Sequence, residues 1–333
     1  MKLRAALARL VVVVAELALV GVAAATVVGL VGGHLLDRWL ADLLNHFAGQ
    51  YLVIAAIAAA IVGAARRRRW LVLGVLVVVV GLVRVAPLYV AATAPAPASG
   101  ERLRLLHLNV LSSNRAYDEV VAYFARSGAD LIFVQEVSDA WADALAAVPG
   151  YRLVASVPRR DNFGVAALAR DDRPPPAVEV VELTADLPAI ALTTQLDGAT
   201  IAILSVHTVP PASADYARSR DAMLVAAGDW ARARRDARDL PVILGDLNTT
   251  PFSRSLGLLL RDADLVNSQR GQGLAPTWPT GPWFARALFA IAIDHALHDP
   301  KLVTTARAVG PDLGSDHRPL HVELGLGPLA REP

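Results

Sequence analysis

Six short segments each end an apolar run on a residue able to do chemistry. They are Asn109 in LLHLNV, Glu136 in DLIFVQEV, His207 in AILSVHT, Asp246 and Asn248 in VILGDLN, Asp294 in IAIDHAL, and Asp316 with His317 in GSDHRPL. One carboxylate at a strand end means little, because a core strand can simply run out into solvent there. Six such ends, carrying four acids, two His and two Asn, are hard to assign to folding alone. The set is rich in oxygen donors, which suits Mg²⁺ or Mn²⁺ held by carboxylates, water and phosphate oxygens. A cation, a His–Asp pair and amide donors together point to attack of water on phosphorus. Competing chemistries lack their residues. With no Cys in the chain, thiolate zinc sites and cysteine nucleophiles are excluded. No Ser stands in a nucleophile elbow, no Gly-rich phosphate loop occurs, and the His residues lack the close pairing of a zinc helix.

The elements that must position these residues follow from periodicity. Short apolar runs predict strands over 103–110, 130–134, 164–169, 189–194, 200–206, 242–244, 291–297 and 320–324. Helical spacing of Val120, Val121, Phe124 and Ala125 predicts a helix over 117–127, and a long one is expected over 213–235. RPPP at 173–176 must be a surface turn. Helices and strands alternate at first and strands then run consecutively, which fits a sheet-on-sheet core flanked by helices.

The first third of the chain is of another kind. Of 333 residues, 54% are hydrophobic, only 19% are charged, and mean hydropathy is +0.42. That excludes a disordered chain and is too apolar for an ordinary soluble domain. Three stretches, 10–31, 47–65 and 70–92, are each near the ~20 residues needed to span a bilayer. The first is too long for a signal-peptide core. Lys2, Arg4 and Arg9 precede the first stretch and Arg66 to Arg69 fill the turn between the second and third. The excess of basic residues inside then puts the N-terminus in the cytoplasm and everything after the third span outside. Within the spans, Glu16 is expected to reach inward. Arg84 is expected to reach outward, to solvent or a lipid phosphate. Residues 93–100 (TAPAPASG) form a linker, and 101–326 form one globular α/β domain. The net charge of +1 hides a split: residues 1–92 carry +6 and the remainder −5.

The ordered motifs, a strand ending in Asn and then QE, VHT, GDLN, IDH and SDH, resemble the endonuclease/exonuclease/phosphatase superfamily. The likeness extends over roughly 103–324. It implies a DNase I-like four-layer α/β/β/α sandwich with the site at one edge of the paired sheets. By that resemblance Glu136 is the principal metal ligand, with Asn109 beside it and Asp316 contributing. Asp246 orients or deprotonates water, Asn248 donates to a phosphate oxygen, and His317, held by Asp294, acts on the phosphate or as acid/base. His207 is a second phosphate or leaving-group contact. Asn162 in RRDNFG matches a segment that lines the site, and Trp278 in APTWPT fits a family turn. His295 and His321 flank the motifs and are expected to be structural.

Departures narrow the reading. Abasic-site endonucleases of this family carry an acid two residues past the first Asn, where this chain has Leu111. A domain of net charge −5 also lacks the basic surface with which nucleases follow phosphates. A membrane anchor plus such a domain resembles the VanJ-type glycopeptide-resistance proteins. The expectation is therefore a Mg²⁺- or Mn²⁺-dependent phosphoesterase acting at the outer membrane face on a lipid-linked phosphate. An outward-facing nuclease and a non-catalytic sensor on a hydrolase fold are the alternatives.

Overall fold

The computed structural model describes residues 2–35, 38–90, 100–184 and 186–328. The N-terminal part is a helical bundle of α1 (Lys2–Leu35), α2 (Arg38–Asn45), α3 (Ala48–Ala64) and α4 (Arg68–Val85). Its core is Ala15, Leu19, Val22, Ala55, Ala58, Val62 and Val77. Small residues let the backbones meet: a Cβ on Gly74 would fall 2.8 Å from that of Ala59, the kind of approach that holds helices together in lipid. The outward faces keep large apolar side chains, among them Leu17, Val27, Val53, Ile57, Leu76 and Val83.

The expected spans shift in detail. Among the described residues two helices, Lys2–Gly32 and Arg68–Leu88, are long and apolar enough to cross a membrane. A third crossing requires counting α2 and α3 as one span, although they meet at 61°. The expected loop before the second stretch thus holds a helix of its own. The third stretch leaves its α-helix at Val85 and passes through a 3₁₀ turn at Ala86–Leu88, because Pro87 has no N–H to continue the ladder. The linker residues 93–99 lie outside the described residues.

The rest of the described chain runs β1 (Leu103–Asn109), α5 (Tyr117–Arg126), β2 (Leu131–Gln135), α6 (Asp139–Ala146), β3 (Tyr151–Val157), β4 (Val165–Arg170) and β5 (Ala177–Glu182). It continues through β6 (Pro188–Leu196), β7 (Ala199–Ser205), α7 (Ala214–Asp236), β8 (Leu240–Asp246), α8 (Arg254–Asp262) and β9 (Val266–Asn267). It ends with α9 (Trp283–Phe289), β10 (Asp294–His298), β11 (Leu302–Val309) and β12 (Leu320–Leu326). Two six-stranded sheets form, in the orders β11-β12-β1-β2-β4-β3 and β5-β6-β7-β8-β10-β9. β1 lies parallel to β2 and β7 parallel to β8. Helices α5 and α6 cover one sheet through Phe124, Leu145 and Trp141, and α7 and α8 cover the other through Leu224, Ala227, Leu256 and Leu259. This is the expected α/β/β/α sandwich. Ser213 caps α7 by accepting from Tyr216 N at 3.2 Å.

Side chains alternate along a strand, and that alternation builds the site. Leu103 and Leu105 of β1, Leu131 and Phe133 of β2, Ile201 and Ile203 of β7, and Leu240, Val242 and Leu244 of β8 all face the space between the sheets. Continued by two or four residues, the same faces bring His107 and Asn109, Gln135, Ser205 and His207, and Asp246 to one edge of the sandwich. The interlayer core ends in polar groups there. Truncating a large side chain such as the fully buried Phe133 would cost about 3–5 kcal/mol.

Candidate active site

Asp294, at the first residue of β10, is fully buried and accepts from two imidazoles. His107 Nε2 lies 2.8 Å from its Oδ1 and His317 Nδ1 lies 2.9 Å from its Oδ2. The other ring nitrogen of His317, Nε2, faces Asp246 Oδ2 at 3.5 Å. Burial alone would drive the proton off His317, but the carboxylates of Asp294 and Asp246 outweigh it and raise its pKa to about 10. The same attraction, against burial, holds Asp294 well below the ordinary carboxylate range. Asp246 goes the other way: burial raises it, and His317 only partly offsets that. His207, with its Nε2 3.6 Å from Asp246 Oδ2, has its pKa lowered to about 3 by burial and by the neighbouring His317 and His107. Two equally buried histidines thus differ in charge because only one of them bonds Asp294.

Beside this cluster, Asn109 Nδ2 donates to Glu136 Oε1 at 2.9 Å and approaches Asp246 Oδ2 at 3.4 Å. The Ser112 N–H donates to Glu136 Oε2 at 3.1 Å. Four non-glycine residues here, Leu111, Glu136, Asn162 and Asn248, have φ between 47° and 67°. Such left-handed backbone is uncommon and collects at functional sites. Gly245 is required for a related reason: a Cβ there would fall 2.2 Å from Val206 O, so only Gly lets the GDLN turn close against β7.

The residues expected from the sequence are brought together unequally. Asn109, Glu136, Asp246, Asp294, His207 and His317 form one contiguous network. Asn248 is tied to it by its N–H, which donates to Asp246 Oδ1 at 2.9 Å. One hydrogen of the Asn248 amide is already directed inward, to Thr208 O at 2.9 Å, so only the other is free for a phosphate. Asn162 stands exposed at the rim, accepting from Ser112 Oγ at 2.5 Å. The ring of the next residue, Phe163, stacks 5.1 Å from that of His207. Asp316 accepts from the Trp278 indole at 3.0 Å, which gives the Trp a task. The other Asp316 oxygen is buried with no hydrogen-bond partner. His295 and His321 are structural, as expected: His295 bonds Thr249 O at 2.9 Å and His321 bonds the Tyr123 hydroxyl.

The donors suit a hard divalent cation. Glu136 presents two carboxylate oxygens, and one Asp316 oxygen has no hydrogen-bond partner. Asp246, Asp294 and His317 also bring ligand atoms within 4.8 Å of one another, close enough to share a cation. A protonated His317 already bridges those two acids, however, which leaves Glu136 and Asp316 as the more open pair.

Sequence reasoning passed over three groups. His107 is the second donor to Asp294; its signal was its place two residues before Asn109, on the same strand face. Gln135 Oε1 accepts from Asp246 N at 3.0 Å, tying the two sheets together. Ser315 Oγ donates to Asn109 O at 2.7 Å and accepts from His317 N at 3.0 Å. A buried Gln at the end of β2 and a buried Ser in the loop before β12 are legible only once the neighbouring sheet is known.

The edge carrying this network is also the edge seated on the helical bundle. Arg220 of α7, only 1% exposed, donates through Nη1 to Asn248 O at 3.2 Å and through Nη2 to Asp42 of α2 at 2.8 Å. Ser253 also donates to Asp42. Trp39 Nε1 donates to Pro211 O at 2.6 Å, and Gly273 N to Leu88 O at 2.6 Å. Arg84 does not reach toward lipid: it donates to Asn45 at 2.6 Å and Phe252 O at 3.2 Å, with the Phe252 ring 5.6 Å away. Glu16 pairs at 3.4 Å with Arg67 in the α3–α4 turn, at the end of the bundle opposite these contacts.

The fold and the motifs have known counterparts. D. rerio TDP2 complexed with single strand DNA product superposes with a TM-score of 0.54 at 15% identity, over 68% of this chain and 99% of that one. C. elegans TDP2 gives 0.54 at 14% identity, over 68% and 76%. A family protein from Leptotrichia buccalis gives 0.53 at 17% identity, over 67% and 100%. No curated protein matches the chain. The model described as the Endonuclease/Exonuclease/phosphatase family matches residues 106–317, and the chain belongs to that family.

Proposed function

We propose that the chain is a membrane-anchored, divalent-metal-dependent phosphoesterase that cleaves a phosphate ester or phosphoanhydride of a lipid-linked substrate at the outer membrane face. The observation that carries this reading is the docking of the candidate catalytic edge, through Asp42, Arg220 and Asn248, onto an apolar helical bundle. A site built there meets headgroups before it meets anything in bulk solvent. The acidic character of the remainder, −5, works against polyanionic nucleic acid. An apolar helical anchor followed by such a domain also resembles the VanJ-type proteins noted above.

In this mechanism Glu136, Asn109 and Asp316 would hold the cation. Bound there, Mg²⁺ or Mn²⁺ supplies charge neutralisation at the phosphate oxygens. Asp246, its carboxyl fixed on one side by the Asn248 N–H at 2.9 Å, accepts the proton of the attacking water at Oδ2. His317, pinned through Nδ1 by Asp294, exchanges the loose 3.5 Å approach of its Nε2–H to Asp246 Oδ2 for a phosphate oxygen and stabilises developing charge. His207, kept neutral, donates or accepts at the leaving group. Asn248 donates its second amide hydrogen to the phosphate.

The test is hydrolysis by the full-length protein in detergent with Mg²⁺, read as phosphate release from polyprenyl pyrophosphate, headgroup release from phospholipid and strand cleavage of plasmid and single-stranded DNA. Release from a lipid phosphate, abolished by EDTA and by Glu136→Ala, is expected. Turnover of DNA alone would replace this reading with the nuclease one, which the fold shared with D. rerio TDP2 keeps in view. Hydrolysis of none of them would favour a sensor.

A further inference from the structure

The loop between Trp278 and Ile291 carries a feature that hydrolysis does not use. Its helix, α9, reads WFARALF, and no residue of it is buried. Trp283 is 80% exposed, Phe284 56%, Leu288 55% and Phe289 55%. Single exposed apolar residues are ordinary, but four large ones within seven residues form a patch of the kind that marks a contact surface. The Trp283 and Phe284 rings meet edge to face, 6.0 Å apart, which keeps the aromatic tip together.

Its placement says what covers it. Gln50 Nε2, in the first turn of α3, donates to Ala290 O at 2.9 Å and so fixes the end of α9 against the end of the bundle. Along α3 from Gln50, Val53 and Ile57 follow at helical spacing and are each 58% exposed, so the apolar surface of the bundle continues onto α9. The charge pattern agrees. Arg286 lies within α9, close enough to Arg318 for the two guanidinium groups to repel each other. An apolar helix face with an arginine at its edge is the composition of segments that lie at the boundary between headgroups and acyl chains, where anionic lipids attract the cation.

We propose that α9 is a membrane-inserting wedge: Trp283, Phe284, Leu288 and Phe289 sit in the acyl–headgroup boundary of an anionic bilayer beside α3. This rests on the membrane-anchored reading and deepens it by naming how substrate arrives. On one side of the wedge, the Trp278 indole holds Asp316 and Thr280 N donates to Asp316 O at 2.9 Å. On the other side, the chain leads through Ile291 to Ile293 into Asp294. A lipid whose tail lies along α9 therefore has its headgroup next to Asp316 and His317.

The absence of Cys makes the test direct. Single-cysteine variants Phe284→Cys and Leu288→Cys carry a nitroxide, as do Val79→Cys on the outward face of α4 and Glu179→Cys on the exposed strand β5. The full chain is reconstituted in phosphatidylethanolamine/phosphatidylglycerol vesicles, and collisions of the nitroxide with oxygen and with a water-soluble nickel chelate are compared. The oxygen preference at 284 and 288 is expected to match that at 79 and to exceed that at 179 severalfold. Water-like behaviour at 284 and 288 with lipid-like behaviour at 79 would overturn the wedge and leave the anchor standing. Water-like behaviour at 79 as well would overturn both. Spin–spin broadening at 284 without oxygen preference would mean that a second copy covers the patch, and would also overturn the proposal.

Discussion

The two ends of the sandwich are made by the same strands and behave differently. At the end away from the bundle, charges meet in pairs at the surface: Arg170 with Asp172, Arg173 with Glu101, and Arg152 with Asp171. Each side chain of these three pairs is about a third or more exposed, apart from Arg170 at 28%, and Arg170 and Arg173 also flank the buried Asp130 at 3.7 and 3.3 Å. At the bundle end, Asp294, His107, Asp246 and His317 are almost wholly buried and share partners. Exposed pairs are screened by solvent and contribute little. Buried groups cannot be satisfied by water, so each member fixes the charge of the next. The contrast teaches that charge at the candidate site is imposed by depth between two sheets, not by the number of charged residues.

The sharpest way to break the contrast is through His317. With its pKa raised from 6.5 to about 10, folding strengthens its hold on a proton by roughly three orders of magnitude. Because the folded value is the higher one, this stabilisation is fully present below pH 6.5 and is lost as pH rises toward 10. NMR titration of the ring should show the shift, and Asp294→Asn should bring the pKa back toward the ordinary range. A His317 that titrates near 6.5 in the unaltered protein would contradict the network.

Next in size is the junction. Arg220→Met leaves Asp42, 12% exposed, beside Ser253 and His46 without its guanidinium partner, and removing one partner of a largely buried pair costs about 3–5 kcal/mol. Arg152→Met at the far end, where the Asp171 partner is 55% exposed, should cost far less. Thermal or denaturant unfolding in detergent compares the two, and equal losses would mean that the junction is no more than a surface contact.

The smallest effect is that of metal. Mg²⁺ at about 100 times its Kd should stabilise the fold by about 2.7 kcal/mol. Glu136→Ala should remove most of that gain, whereas Asp172→Ala at the opposite end should leave it intact. A gain that survives Glu136→Ala but not Asp246→Ala would move the cation to the Asp246, Asp294 and His317 group.

Much of this arrangement was legible in advance. The helix expected over 117–127 is α5 (Tyr117–Arg126), and that over 213–235 is α7 (Ala214–Asp236). The strand expected over 291–297 begins only at Asp294, since Ile291 makes an isolated bridge to Trp278. Elements that were not foreseen are mostly short or at sheet edges. β5 (Ala177–Glu182) is exposed along nearly its whole length, so no burial pattern marks it, and α6 (Asp139–Ala146) has too few turns to show a period. At the site, the acids and histidines stood out because polar residues ended apolar runs. His107 did not, because it lies inside such a run and acquires its role only from Asp294, 187 residues away.

By itself, the sequence determined the division into an apolar helical third and an α/β remainder, and the identity of the groups gathered at the strand ends. Both are local properties, written in runs of residues and in the two-residue alternation of strands. Only the tertiary structure decided that Asp294 serves two histidines, that Arg84 fastens the bundle to the sandwich, and that the candidate catalytic edge is the edge turned to the bundle. Those depend on which of several possible partners a charged group meets when water is excluded, and that choice is made by packing across the chain.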